Sequence, residues 1–259
     1  MSSYPDVRVR AYIPPGRGAR PAVVAFFGGA FRIGGIDYPT TDAAYRRRAA
    51  EANIVVVAVD YALAPEDRFP TQVEQGHTAL AWLFAHASEV GVDKTRIAIA
   101  GTSAGAAIAA AVALMNRDRD NHPLRLQLLE VPVVDLTGRH IDLRATWALG
   151  IPALLAVREL RSIARTYLRS PRDAAHPWAS PLRAASHADL PPAMILTAQY
   201  DPLRGQGAAY GDRLRRAGVN ATVVQYQGVT HDAPIFTAAL PAARAWHAQV
   251  VDALRTLHH

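Results

Sequence analysis

The chain has 259 residues, half of them apolar, which suits a single domain over residues 1–259 built on one large core. It has no cysteine, so disulfides, thiolate catalysis and cysteine-ligated zinc are excluded. Its 28 basic and 22 acidic residues give a formal +6, but the arginines are scattered and their one tight run, Arg46-Arg47-Arg48, falls in a helix-like stretch, so nucleic acid is not expected as a partner.

Residues 7–13 alternate apolar side chains with Arg8 and Arg10, as a half-buried strand does. Residues 21–27 form an apolar run that ends in Gly28-Gly29. Residues 43–52 read as a helix and 54–59 as a β-branched strand buried on both faces. A helix over 72–87 puts Ala79, Leu80, Leu83 and Phe84 on one face. Next come a short strand at 97–100, a helix at 104–115, and a strand at 126–134 in spite of Pro132. Residues 193–198 predict a strand, 204–217 a helix, 221–226 the last strand and 239–257 a closing helix. Strand–helix alternation of this kind predicts an α/β fold with a mostly parallel sheet and helices on both faces. Residues 135–190 hold no strand; they are Arg-rich, partly helical and broken by prolines. This predicts a cap, residues 136–190, inserted over one end of the sheet. No run of 18 uncharged apolar residues occurs, so no membrane span is expected. The first six residues lack the basic-then-apolar pattern of a secretory signal, which fits a cytoplasmic location.

Gly101-Thr102-Ser103-Ala104-Gly105 stands between the strand ending at Ala100 and the helix that follows. A G-x-S-x-G turn in that context holds its serine on a strained backbone, at the carboxyl edge of the sheet and close to a helix N-terminus. The flanking glycines omit the Cβ atoms that would clash where helix passes strand. A serine hydroxyl needs an adjacent base to act as a nucleophile. In serine hydrolases built on such sheets the chain order is Ser, acid, His. Asp201 follows the strand at 193–198, and His231 follows the last strand, which puts both on loops at the same edge as Ser103. Asp135 also follows a strand and is a rival acid. Asp232 is too local to orient its neighbour; His247 lies inside a helix, and His258 and His259 are terminal. Backbone amides of Gly29 and Ala30, after the strand at 21–27, and of Ala104 are the candidate oxyanion hole.

These segments resemble the hormone-sensitive-lipase-like family of α/β-hydrolases, bacterial carboxylesterases in particular, over nearly the whole chain. Tyr61-Ala62-Leu63-Ala64-Pro65-Glu66 with Phe69-Pro70 is similar to the family's Y-R-L-A-P-E segment. Gly101 to Gly105 resembles its nucleophile turn, Ala179 to Leu182 and Leu190 to Pro192 its approach to the next strand, Thr197 to Arg204 its acid segment, and Gly228 to His231 its histidine segment. The resemblance implies an α/β-hydrolase fold with a helical cap, catalytic Ser103, Asp201 and His231, and hydrolysis of a small-molecule carboxylic ester with no metal or other cofactor. It allows a homodimer. Non-hydrolytic relatives, dehydratases or acyltransferases, and an inactive binding protein of the same fold are the competing readings. Three departures stand out. Phe27-Gly28-Gly29-Ala30 replaces H-G-G-G, so no histidine side chain fixes that loop. The family's residues ahead of the strand at 7–13 have no counterpart, which implies a more open site. Gly205-Gln206-Gly207 replaces an acidic stretch.

The cap carries Arg139, Arg144, Arg158, Arg161, Arg165, Arg169 and Arg172. Between residues 154 and 168, Leu154, Val157, Leu160, Ile163, Ala164, Tyr167 and Leu168 predict an amphipathic helix, with Arg158, Arg161 and Arg165 on another face. That face is either simply solvated or an attractor for an anionic substrate or acidic carrier protein. Phe31, Trp147, Leu149 and Ile151 are candidates to line the substrate pocket.

Overall fold

The structure, a computed structural model, describes residues 6–259; residues 1–5, which belong to the stretch read above for a secretory signal, lie outside them. The strands are β1 (Arg8–Tyr12), β2 (Arg20–Phe26), β3 (Val55–Asp60), β4 (Val92–Thr102), β5 (Leu124–Glu130), β6 (Ala193–Ala198) and β7 (Ala221–Tyr226). They form one sheet in the order β1-β3-β2-β4-β5-β6-β7, in which only β1 runs antiparallel to its neighbour. Val55 to Val59 are all buried, so this part of the sheet is covered on both faces, as its unbroken β-branched run requires. The helices are α1 (Pro39–Ala52), α2 (Thr71–His86), α3 (Ala104–Arg119), α4 (Arg144–Ala148), α5 (Ala153–Tyr167), α6 (Arg204–Arg216) and α7 (Pro241–Arg255). Alanine dominates the first three turns of α3, and every residue from Ala104 to Asn116 is buried. Small side chains let that helix sit close against β2, β4 and β5.

Two strand boundaries differ from the sequence reading by more than two residues. β5 stops at Glu130 rather than reaching residue 134. Val131 takes a φ of 42°, and Pro132 has no N–H to give the ladder. β4 begins at Val92, well ahead of residue 97. Its early part carries Asp93, Lys94, Thr95 and Arg96, whose polarity hides it from a hydrophobic pattern. Between β5 and β6 the described residues contain α4, α5 and two short 3-10 helices (Pro171–Ala175 and Pro181–Arg183), and no strand. No helix among the described residues is long and apolar enough to cross a membrane.

Glu130 is the least expected member of the core. Its carboxylate is 1% exposed and accepts from Arg48, from Trp246 Nε1 (2.8 Å) and from Thr102 Oγ1 (3.1 Å), tying α1, α7 and β4 together. A buried carboxylate is tolerated only when paired and hydrogen-bonded in this way. Glu130→Ala leaves Arg48 charged and nearly enclosed, so it is expected to cost about 3–5 kcal/mol in chemical denaturation.

Candidate active site

Strand order places the site. β2 and β4 are neighbours, and connections leave them in opposite directions along the sheet, which opens a crevice beyond their carboxyl ends. Phe26 is in register with Gly101, so the loop after β2 and the turn after β4 emerge side by side. Ser103 occupies that turn at φ 55°, ψ −116°, a conformation that an L-residue holds only under constraint. The constraint comes from the flanking glycines. A Cβ on Gly101 would lie 2.2 Å from the Gly105 carbonyl oxygen, and one on Gly105 would lie 2.3 Å from the carbonyl oxygens of Phe26 and Phe27. The backbones pass too closely for any other residue. The Ser103 N–H donates to Glu130 O at 2.8 Å, which fastens the turn to β5.

The acid and the imidazole arrive from the neighbouring strands. β6 and β7 are parallel and end in register, Ala198 opposite Tyr226. Their loops remain laced together: Gln199 N donates to Tyr226 O and Tyr200 N to Val229 O (both 2.9 Å), and Gly228 N donates to Gln199 Oε1 at 2.6 Å. Asp201 is buried, and its Oδ1 accepts from Leu203 N at 2.9 Å. Its Oδ2 lies 2.8 Å from His231 Nδ1, while His231 Nε2 lies 2.9 Å from Ser103 Oγ. A carboxylate only accepts, so the Nδ1–H points to Asp201 and the Nε2 lone pair faces the hydroxyl. Burial pulls the imidazole pKa down, but the charge and hydrogen bond of Asp201, with Asp232 adding to them, outweigh it and hold His231 above its ordinary value.

Phe27 now has an evident role. Its ring stacks on Tyr61, with centroids 4.2 Å apart and planes 12° from parallel, and Tyr61 Oη donates to the Phe27 carbonyl at 2.8 Å. At the other end of the loop, Ala64 N donates to Phe31 O at 2.9 Å. The Tyr61-to-Ala64 segment thus anchors both ends of the loop, and aromatic packing stands where the family has a histidine. Between these anchors Gly29, Ala30 and Phe31 all take positive φ, and the N–H groups of Arg32 and Ile33 close the turn onto Gly29 O. Ala104 begins α3, so its N–H has no partner inside the helix.

The remaining sequence candidates separate. Asp135 is buried, but it serves its own loop: it accepts from Thr137 N and Oγ1 and pairs with His140 Nδ1 at 3.1 Å, away from His231. Gln206, in the segment where the family is acidic, is fully buried; it accepts from Asp135 N and donates to Asp135 O, each at 2.9 Å, and so locks the start of α6 to the chain leaving β5. Phe31 is fully enclosed, stacked on Tyr167 at the end of α5 with centroids 3.8 Å apart, whereas Trp147, Leu149 and Ile151 are exposed. Next to Phe31, Arg32 donates to Glu159 (2.6 Å) and Ser162 (3.2 Å) of α5. These ties between the β2 loop and α5, with the Tyr61–Phe27 stack, were not read from the sequence. Each joins residues tens of positions apart with no shared motif, although Tyr61 lies inside a family segment and was the signal available.

This sheet order, with a strained serine after β4 and an Asp–His pair from the last two strand ends, defines an α/β-hydrolase. Residues 23–235 match the family model described as alpha/beta hydrolase fold, and the chain belongs to that family. Esterase LipI of Mycobacterium tuberculosis is 36% identical over 266 residues, which covers 98% of this chain and 79% of LipI. Carboxylesterase NlhH of the same organism is 35% identical over 258 residues, with the same coverage of 98% and 79%. The solved structure of an esterase from Pyrobaculum calidifontis aligns with a TM-score of 0.88 at 37% identity, over 97% of this chain and 81% of that one. These similarities agree with the hormone-sensitive-lipase-like character of the motifs.

Proposed function

We propose that this protein is a serine carboxylesterase acting on a small-molecule ester. The observation that carries the reading is the unbroken relay from Asp201 through His231 to Ser103, with contacts of 2.8 and 2.9 Å. Esterase and carboxylesterase are also the printed names of relatives that align with nearly all of this chain. Ser103 Oγ attacks the ester carbonyl while its proton passes to His231 Nε2. The oxyanion that forms is held by the amides of Gly29, Ala30 and Ala104, each such donor contributing about 2.7–4 kcal/mol to the transition state. His231 returns the proton to the departing alkoxide, and the acyl group stays on Ser103. Water then attacks the acyl carbon, giving its proton to His231; the bond to Ser103 Oγ breaks, and the proton goes back to Ser103. Asp201 stays ionised and keeps Nδ1–H oriented throughout.

Residues 136–190 are the cap in this reading, with α5 closing over the β2 loop through the Phe31 and Arg32 contacts. A cytoplasmic home is the location expected, which cell fractionation checks. The mechanism is tested with a p-nitrophenyl ester and a fluorophosphonate: turnover with a burst of nitrophenol, and one phosphonyl adduct mapped to Ser103, support it. A fluorophosphonate-resistant protein that still turns the ester over would refute the acyl-enzyme.

The Tyr61 anchor gives a smaller effect of the same kind. Tyr61→Phe keeps the stack but removes the donor to the enclosed Phe27 carbonyl. Steady-state kinetics should show kcat down about two- to tenfold with KM nearly unchanged, the loss expected for one hydrogen bond worth roughly 0.5–1.5 kcal/mol that aims the loop.

A further inference from the structure

Residues 136–190 carry eight arginines against four carboxylates, so most of the formal +6 of the whole chain sits there. Many arginines elsewhere are tied to acids: Arg8 to Asp37 and Asp60, Arg47 to Glu51, Arg48 to Glu130. Arg158, Arg161 and Arg165 on α5 are different. All three are exposed, and their side chains make no ion pair or hydrogen bond among the described residues. At 100° per residue, they and Leu154 fall within about 60° of one another around the helix and run roughly 16 Å along it. The opposite side of α5 is the one that packs inward, through Leu160 and Tyr167.

Large exposed apolar side chains gather at the N-terminal end of α5 and in the chain just before it. Leu154 is 72% exposed and Trp147 69%, and Leu149, Ile151 and Leu155 are exposed with them. Five such residues within nine positions concentrate exposed apolar surface at one end of α5, unlike the isolated exposed leucine of an ordinary surface. We infer that the outer face of α4 and α5 docks on an anionic lipid surface. Guanidinium groups on a convex helix do not converge on one small soluble anion, so a pocket ligand does not fit them. An acidic protein face would match the arginines and leave the apolar patch in water. A layer of anionic amphiphiles serves both: its headgroups meet the arginine stripe, and its acyl boundary takes the tryptophan and the aliphatic side chains. Arg32 connects this face to the site, because the side chain that follows the β2 loop is bonded to Glu159 and Ser162 of the same helix.

Vesicle co-sedimentation of the full chain tests the inference without reference to turnover. Vesicles of phosphatidylcholine containing phosphatidylglycerol are expected to bind the protein at least tenfold better than phosphatidylcholine alone, with binding that weakens as salt rises. The triple variant R158Q/R161Q/R165Q should lose about a hundredfold in partition to the anionic vesicles, since each basic group near such a surface contributes roughly a fivefold factor. The variant L154S/L155S should lose at least tenfold. Circular dichroism melts at the wild-type temperature show that both remain folded. Equal binding to neutral and anionic vesicles, or an unchanged partition of the arginine variant, would overturn the inference. Retention on polyglutamate with none on vesicles would also overturn it, in favour of an acidic protein partner.

Discussion

Ser103→Ala is expected to lower kcat for a p-nitrophenyl ester by about a millionfold, with KM within a few-fold of wild type and the melting temperature little changed. The size of the loss follows from what one oxygen does. It forms the acyl bond, and among the described residues it is the only group within hydrogen-bond distance of His231 Nε2, so without it both the nucleophile and the route of the proton are gone. Binding and the amides of the β2 loop and Ala104 survive, which leaves a residual acceleration over water of roughly a thousandfold. The fold should tolerate the change because the strained φ of 55° is imposed by the close passage of Gly101 and Gly105, not by the hydroxyl. Stopped-flow kinetics with active-site titration reads the loss directly. Turnover within tenfold of wild type in this variant would mean that another group carries the reaction.

The parts of this molecule visible in the sequence are those written in local code. Val55 to Val59 can only be a doubly buried strand, and the Gly-x-Ser-x-Gly turn carries its own steric reason, which the 2.2–2.3 Å approaches at Gly101 and Gly105 make concrete. Chain order left both Asp201 and Asp135 open as the acid; the fold separates them, since Asp201 leaves β6 beside the loop from β7 that carries His231, whereas Asp135 pairs with His140. What stayed hidden depends on contacts between distant segments. Glu130 at the end of β5 looks like a surface acid until Arg48, Thr102 and Trp246 close round it. Phe31 looks like a pocket residue until Tyr167, more than a hundred positions later, covers it. The loss of the family histidine looked like the loss of a support, because nothing in the spacing says that Phe27 lies flat on Tyr61. Sequence pattern reports which side chains seek burial; it does not report what they meet there.

Asp201→Asn separates orientation from chemistry and is expected to lower kcat/KM at neutral pH by about ten-thousandfold. An asparagine amide can donate to His231 Nδ1, which moves the imidazole proton to Nε2, where it faces Ser103 Oγ and blocks proton acceptance. The pH profile changes as well. In the wild type burial opposes protonation, but the Asp201 charge and hydrogen bond dominate, so the acid limb of kcat/KM lies above the ordinary imidazole value of about 6.5. With asparagine, burial is opposed only by Asp232, the smallest of these causes, and the residual limb should move below that value. Stability responds with the opposite sign. A pKa raised by folding contributes stability that is fully present below about pH 6.5 and is lost as pH climbs through the folded value. The enzyme therefore gains activity over the same window in which the His231–Asp201 ion pair ceases to stabilise it. The melting-temperature difference between wild type and Asp201→Asn should accordingly be larger at pH 5 than at pH 9. Initial rates from pH 5 to 9, with melts at the two ends, measure both effects; an acid limb that does not move would show that the carboxylate at 201 is not what holds the imidazole proton.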